Sequence, residues 1–221
     1  MANKIPTALV SDFDGTISDD DFFNYVSRRW LGEKALDPWR EYTEGKKTHF
    51  EALREIFASL RVEQPVFDDF IREIKIDPGF FTVADYCRRR DIPVYVCSAG
   101  CDYYIDKLAG KEMADCRVRL VANHGVYSPE TGLVMTPPPE NSPFYDPNTG
   151  ISKAAVVAYL QQRGYRVVYC GDGMPDVAAA AIADVVFARK MLLLQCRQLN
   201  IPAEELTDFN QVYRFLKGEK Q

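Results

Sequence analysis

The chain has 221 residues, 47% of them hydrophobic and 27% charged, with a formal net charge of −5. This length allows one large domain or a core with a modest insertion, and the acidic balance argues against nucleic acid, whose phosphate backbone favours basic faces. No apolar run approaches the roughly 20 residues of a membrane span and no signal-peptide core follows Lys4, so a cytoplasmic protein with no membrane partner is expected.

Residues 5–10 are an apolar run that reads as a strand. It leads into Ser11-Asp12-Phe13-Asp14-Gly15-Thr16. Alternate side chains of an extended segment share a face, so Asp12 and Asp14 can address one pocket beyond the strand end, where open α/β sheets bind ligands. Two carboxylates held together need a cation or a proton between them. A hard cation such as Mg²⁺ prefers oxygen ligands, and a retained proton makes one Asp a general acid. The same residues also suit a surface turn, because Asp-Gly is a common turn dipeptide. Asp19, Asp20 and Asp21 read as the solvated, dipole-favoured first turn of a helix, with contact to a substrate as the alternative.

A helical stretch follows. Phe22, Phe23 and Val26 with Trp30 open it, and Phe50, Leu53, Phe57 and Leu60 recur at helix spacing, as do Val66, Phe67, Phe70, Ile71 and Ile74. A simple crossover needs about a dozen residues, so residues 18–75 are expected to form a small helical subdomain, either a lid over the strand ends or a structural unit. Residues 93–97 read as the second strand and end in Ser98-Ala99-Gly100. There a hydroxyl and exposed amides suit an anion, and Ser98 also suits a helix N-cap.

Residues 115–135 suggest short strands and turns at the sheet edge, and residues 136–150, with five prolines, a loop without regular structure that borders a site or passively connects. Lys153 opens a helix over 154–162, and the strand 166–170 runs into Gly171-Asp172-Gly173-Met174-Pro175-Asp176. A helix at 175–183, a strand at 184–187 and helices at 191–199 and 209–217 complete the chain. Strands alternating with helices predict an α/β fold with a parallel, doubly wound sheet. The six cysteines include no Cys-x-x-Cys pair, and the histidines are His49 and His124, which leaves no zinc-site spacing and little material for a histidine-dependent hydrolase. Cys101, beside the Ser98 turn, reads as a packing residue.

Asp12-Phe13-Asp14-Gly15-Thr16, the strand ending in Ser98, Lys153, and Gly171-Asp172 with Asp176 resemble, in order, the four motifs of the haloacid-dehalogenase-like (HAD) phosphatases. The resemblance implies a Rossmann-like core over residues 1–17 and 76–221, a helical cap over 18–75, and a Mg²⁺ cofactor. It implies that Asp12 is a nucleophile forming an aspartyl-phosphate and that Asp14 is general acid and then general base. Metal contacts are implied for Asp12, the Asp14 backbone carbonyl and Asp172, with Asp176 acting through water or by orienting Asp172. Ser98, Ala99, Gly100, Lys153 and Thr16 are implied around the phosphate, although a turn role suits Thr16 equally.

Within the family the chain is similar to the phosphoserine-phosphatase-like branch, and more narrowly to methionine-salvage phosphatases acting on 2-hydroxy-3-keto-5-methylthiopentenyl-1-phosphate. The narrower likeness rests on residues 11–17 and 184–193. Some of those relatives carry a cysteine-rich stretch before the lysine, whereas residues 136–152 here are rich in proline and lack cysteine. The implied partner is a small phosphorylated metabolite. Phe22, Phe23 and Tyr25 read as the cap's own core, with a methylthio-tail site as the alternative. Phosphotransfer to an alcohol stays open beside hydrolysis; dehalogenation and a non-catalytic binding role are the remaining alternatives. Oligomeric state is left open.

Overall fold

The computed structural model describes residues 5–219, the side chain of Ala35 excepted. The first four residues of the expected core segment therefore lie outside the described residues. Strands β1 (Thr7–Ser11), β2 (Val94–Cys101), β3 (Arg119–Ser128), β4 (Gly132–Thr136), β7 (Arg166–Gly171), β8 (Val185–Ala188) and β9 (Glu204–Glu205) form one sheet in the order β4-β3-β2-β1-β7-β8-β9. All neighbours are parallel except β3 and β4, which form an antiparallel hairpin. The chain winds outward from β1 to β3, then returns to β7 beside β1, so the order reverses between β1 and β7. That is where an open parallel sheet offers a crevice.

The alternation of side chains along each strand sorts the core into two layers. Ala8, Val10, Tyr95, Cys97, Val167 and Tyr169 face helices α7 (Lys153–Gln161), α8 (Val177–Ala180) and α9 (Lys190–Gln198). Leu9, Val94, Val96, Val168, Cys170 and Phe187 face the opposite layer of α5 (Pro78–Arg89), α6 (Asp102–Asp115) and α10 (Phe209–Lys217). Burial on both faces explains why these strands read as nearly continuous apolar runs. Cys101 is fully buried, and burial pushes its thiol up, as a packing role requires.

Between β1 and α5 the chain is helical: α1 (Phe22–Val26), α2 (Asp37–Thr43), α3 (His49–Ala58) and α4 (Gln64–Arg72). A π-helical turn, Ser27–Leu31, and a 3-10 turn, Glu33–Leu36, link α1 to α2. Thr48 and Glu51 form a reciprocal capping box at the start of α3. The two connections to this helical segment run side by side. Ser18 bridges Ile76, and the amides of Asp19 and Asp77 donate to the carbonyls of Lys75 and Ile17.

The proline-rich stretch differs from its expectation. It contains a two-stranded hairpin, β5 (Tyr145–Asp146) with β6 (Gly150–Ile151), turned by Asp146 Oδ1, which accepts from the amides of Asn148 and Thr149. The helix expected at 175–183 is likewise broken into a 3-10 turn, Met174–Asp176, and the short α8. Asp176 Oδ2 draws in the amides of Asp172 and Gly173, which bends the backbone away from a regular α-helix.

Gly150 sets the approach to Lys153. Its φ is +80°, and an added Cβ would lie 2.0 Å from Asn123 Oδ1. The Asn123 amide in turn ties the carbonyl of Ala99 to that of Thr149. Gly150→Ala is expected to destabilise the fold by about 1–3 kcal/mol, because the backbone is strained and a buried amide is displaced. Urea unfolding measures this, and an unchanged midpoint would contradict the constraint.

Candidate active site

The carboxyl ends of β1 and β7 deliver the acidic residues. Asp12 follows Ser11 with its amide still bonded to Cys170, and Asp172 follows Gly171. Asp12, Asp172 and Asp176 are buried, with carboxylate oxygens within 4.8 Å of one another. Such a group fits a divalent cation with oxygen ligands, because close carboxylates otherwise repel. Gly15 lets the chain pass tightly here. Its φ is +68°, and a Cβ would lie 2.1 Å from Asp172 Oδ2.

Lys153 sits in the first turn of α7, behind the N-cap Ser152. Its ammonium is 2.8 Å from Asp12 Oδ1 and 2.6 Å from Asp176 Oδ1, and the side chain is 4% exposed. Burial opposes its charge, but Asp12 and Asp176 outweigh burial and hold the ammonium up. Burial and the charges of Asp176 and Asp172 push Asp12 up, against Lys153. Asp12 Oδ1 also accepts from the Phe13 amide at 2.7 Å. Oδ2 is thus the Asp12 oxygen with no donor among the described residues.

Asp176 is used differently. Its Oδ1 accepts from Lys153 and from the Tyr169 hydroxyl at 2.6 Å, and its Oδ2 accepts two backbone amides. Burial works against its charge, yet Lys153 and these donors bring it below the usual carboxylate range. With both oxygens engaged, Asp176 is arranged to orient Lys153 and Asp172. Asp172 accepts from Thr16 Oγ1 at 3.4 Å and pairs with Lys190 at 3.1 Å.

Asp14 lies across the cleft. Its Oδ2 accepts from Tyr104 at 2.6 Å and Ser98 at 2.8 Å, and its Oδ1 from the Phe22 amide at 3.2 Å. Burial raises it in spite of these donors, the direction that favours a general acid. These groups line a cavity of about 360 Å³. Its other wall comes from the helical segment: Phe22, Phe23, Trp39, Tyr42, His49 and Phe57.

The model for the family described as haloacid dehalogenase-like hydrolase matches residues 9–181. The chain belongs to that family. It is similar to the 2-hydroxy-3-keto-5-methylthiopentenyl-1-phosphate phosphatase of Brevibacillus brevis, 29% identical over 100% of this chain and 99% of the relative. It is also similar to a polyol phosphate phosphatase of Saccharomyces cerevisiae, 28% identical over 98% of this chain and 96% of the relative. Among solved structures, a substrate-bound phosphoserine phosphatase superposes with a TM-score of 0.67 at 18% identity, covering 96% of this chain and 99% of that one. This last likeness concerns the fold.

In this haloacid dehalogenase-like hydrolase the residues expected from the four motifs do converge, with three differences in how they are used. Thr16 is fully buried and turns its hydroxyl to Asp172, supporting that carboxylate and standing outside the cavity lining. Ser98 lies inside β2 and caps no helix; Cys101 is the N-cap of α6. Ser98 Oγ accepts from the Gly100 amide at 2.9 Å, so that amide is already engaged. Asp21 is the N-cap of α1 and lines the cavity, where burial and the charges of Asp14 and Asp172 push it up to about 7. Asp21 therefore faces the cavity and not a solvated turn.

The sequence assigned no site role to Tyr104, Tyr169, Lys190, Trp39 or His49. Tyr104 and Lys190 each follow the carboxyl end of a strand, a position that the crevice rule could have flagged. Trp39 and His49 reach the site from helices whose packing the sequence leaves unspecified. The proline-rich loop, at 136–152, contributes nothing to the cavity lining. It grips α3 instead, with Asn148 Oδ1 accepting the His49 amide at 3.1 Å and its carbonyl the Phe50 amide at 2.8 Å.

His49 is 6% exposed, and burial followed by the charge of Lys153 brings its imidazole down to about 4 from 6.5. The unfolded chain takes up this proton near pH 6.5, while the folded chain resists until about 4. This contribution is whole above pH 6.5, falls as pH drops through that window and is gone below it. It amounts to on the order of 3 kcal/mol. Unfolding free energies at pH 7.5 and 4.5 should fall further for the wild type than for His49→Gln, and equal falls would contradict a buried neutral imidazole.

Proposed function

We propose that this chain is a Mg²⁺-dependent phosphomonoester hydrolase working through an aspartyl-phosphate on Asp12, acting on a small phosphorylated metabolite. The observation carrying this reading is the placement of Asp12 between Lys153 and the open cavity, with Oδ2 unencumbered. Uncatalysed hydrolysis of a phosphate monoester is slow enough to need up to ~10²¹-fold acceleration, so one carboxylate is insufficient. The phosphoryl oxygens must be neutralised, the attack aligned and the leaving alkoxide protonated.

In the first step Asp12 Oδ2 bonds to phosphorus as the ester P–O bond breaks. Asp14 gives its proton to the departing alcohol oxygen, with Tyr104 and Ser98 fixing the carboxyl. In the second step a water donates its proton to Asp14 while attacking phosphorus, and the Asp12 oxygen leaves as carboxylate. Lys153 opposes protonation of Asp12 and offsets charge on the phosphoryl group. Asp12, Asp172 and the Asp14 carbonyl are the groups that would hold Mg²⁺, with Asp176 orienting them. When bound, the ion supplies positive charge that screens Asp12 from the phosphate it approaches.

The named relatives favour the methionine-salvage enol phosphate as a candidate substrate. We further assign residues 18–75 the role of a cap, supported by the paired connections at Ser18 and Ile76. Asp12→Asn is expected to lower kcat by at least about 10³-fold without loss of fold. Asp14→Asn is expected to cost about 10²–10⁴-fold while leaving metal affinity nearly unchanged. Chelation should abolish phosphate release and added Mg²⁺ restore it. Near-wild-type turnover by Asp12→Asn would overturn the covalent route.

A further inference from the structure

The helical side of the cavity is built as a continuous aromatic wall. Trp39 stacks on Phe23 with centroids 4.2 Å apart and planes 27° apart. It meets the His49 ring edge-on at 5.3 Å, and Tyr42 meets the same ring at 5.3 Å and 88°. His49, Leu53 and Phe57 recur every four residues along α3 and so share one face; all three line the cavity. Trp39 and Tyr42 are half-buried.

Two properties of this wall select its ligand. The first is charge. Lys153 and Lys190 are the cations among the lining residues, and both are committed to carboxylates. None comes from the helical side. A carboxylate or second phosphate carried there would lose water without gaining a partner, which is costly. The second is an unused polar group. His49 Nδ1 is sealed from solvent and has no hydrogen-bond partner among the described residues. An orphaned buried polar atom is unfavourable, and a ligand oxygen that reached it would relieve that. A neutral imidazole offers one donor and one acceptor.

We propose that Phe23, Trp39, Tyr42 and His49 form the subsite for the part of the substrate remote from phosphorus. This subsite takes an uncharged body, and His49 selects esters with a hydroxyl or carbonyl oxygen at that end. The inference deepens the phosphatase reading and rests on it. Its substrate class is the monophosphate ester whose charge is confined to the phosphoryl group. Phosphoserine, with its carboxylate, falls outside that class. A thioether-tailed keto-enol phosphate and a polyol phosphate both fall inside it.

The test is kcat/KM with Mg²⁺ for the methylthio enol phosphate, a five-carbon polyol phosphate, phosphoserine and phosphoglycolate, in wild type, His49→Phe and Trp39→Ala. At least one uncharged ester should exceed both carboxylated ones by on the order of a hundredfold. Both substitutions should raise KM for it by about tenfold, with kcat changing far less. Greater loss in Trp39→Ala marks the thioether compound as the source, and greater loss in His49→Phe the polyol. Equal or better turnover of phosphoserine, or variants that slow every ester alike, would overturn the subsite. Fluorescence titration with the dephosphorylated alcohols reads the wall without catalysis, and weaker binding in Trp39→Ala is expected. If the wild type hydrolyses none of these esters, the phosphatase reading falls and this titration alone decides the subsite. Unchanged alcohol binding in both variants would then overturn it.

Discussion

A buried ammonium between two buried carboxylates is the interaction on which this molecule turns. Lys153 is the only cation in contact with Asp12 and Asp176 among the described residues. Without it those groups could not remain ionised away from water. Ser152 caps α7 immediately before Lys153, and Tyr169 turns its hydroxyl to Asp176 from inside a strand. It also divides the acidic residues by task. Asp176 is saturated with donors and rigid, whereas Asp12 keeps one oxygen for the cavity.

The opposite side of the cleft follows a different logic. Asp14 has no lysine within hydrogen-bonding distance and is held by hydroxyls and an amide. Burial lifts both carboxyls, but at Asp12 a buried ammonium opposes the lift while at Asp14 hydroxyls and an amide do so. The two carboxyls of one strand end thus differ in what surrounds them, a cation at Asp12 and neutral donors at Asp14. Phe22 joins this arrangement to the helical segment: its amide donates to Asp14 and its ring stacks on Tyr104 at 3.9 Å.

Much of this was legible in the sequence because it depends on local pattern. The strand ends at Asp12, Ser98 and Asp172 follow from apolar runs that stop at polar residues, and α10 matches its expected limits of Phe209 and Lys217. The helical character of the segment after β1 also follows from spacing. What spacing could not convey was long-range placement. Phe22 and Phe23 serve as core and as cavity wall together, while Tyr25 turns from the cavity to pair with Asp19. Thr16 and Asp21 were assigned by their neighbours in sequence, yet their partners Asp172 and Asp14 are set by tertiary contacts. The hairpin in the proline-rich stretch was hidden because two-residue strands carry no periodicity.

That hairpin has a mechanical consequence. Asn148 holds the first two amides of α3, and five residues later the same backbone begins the helix carrying Lys153. Position along this short tether is therefore shared between the aromatic wall of the cavity and the ammonium paired with Asp12. Lengthening or shortening the tether by one residue would shift both at once. The tether's length is thus a constraint common to α3 and α7.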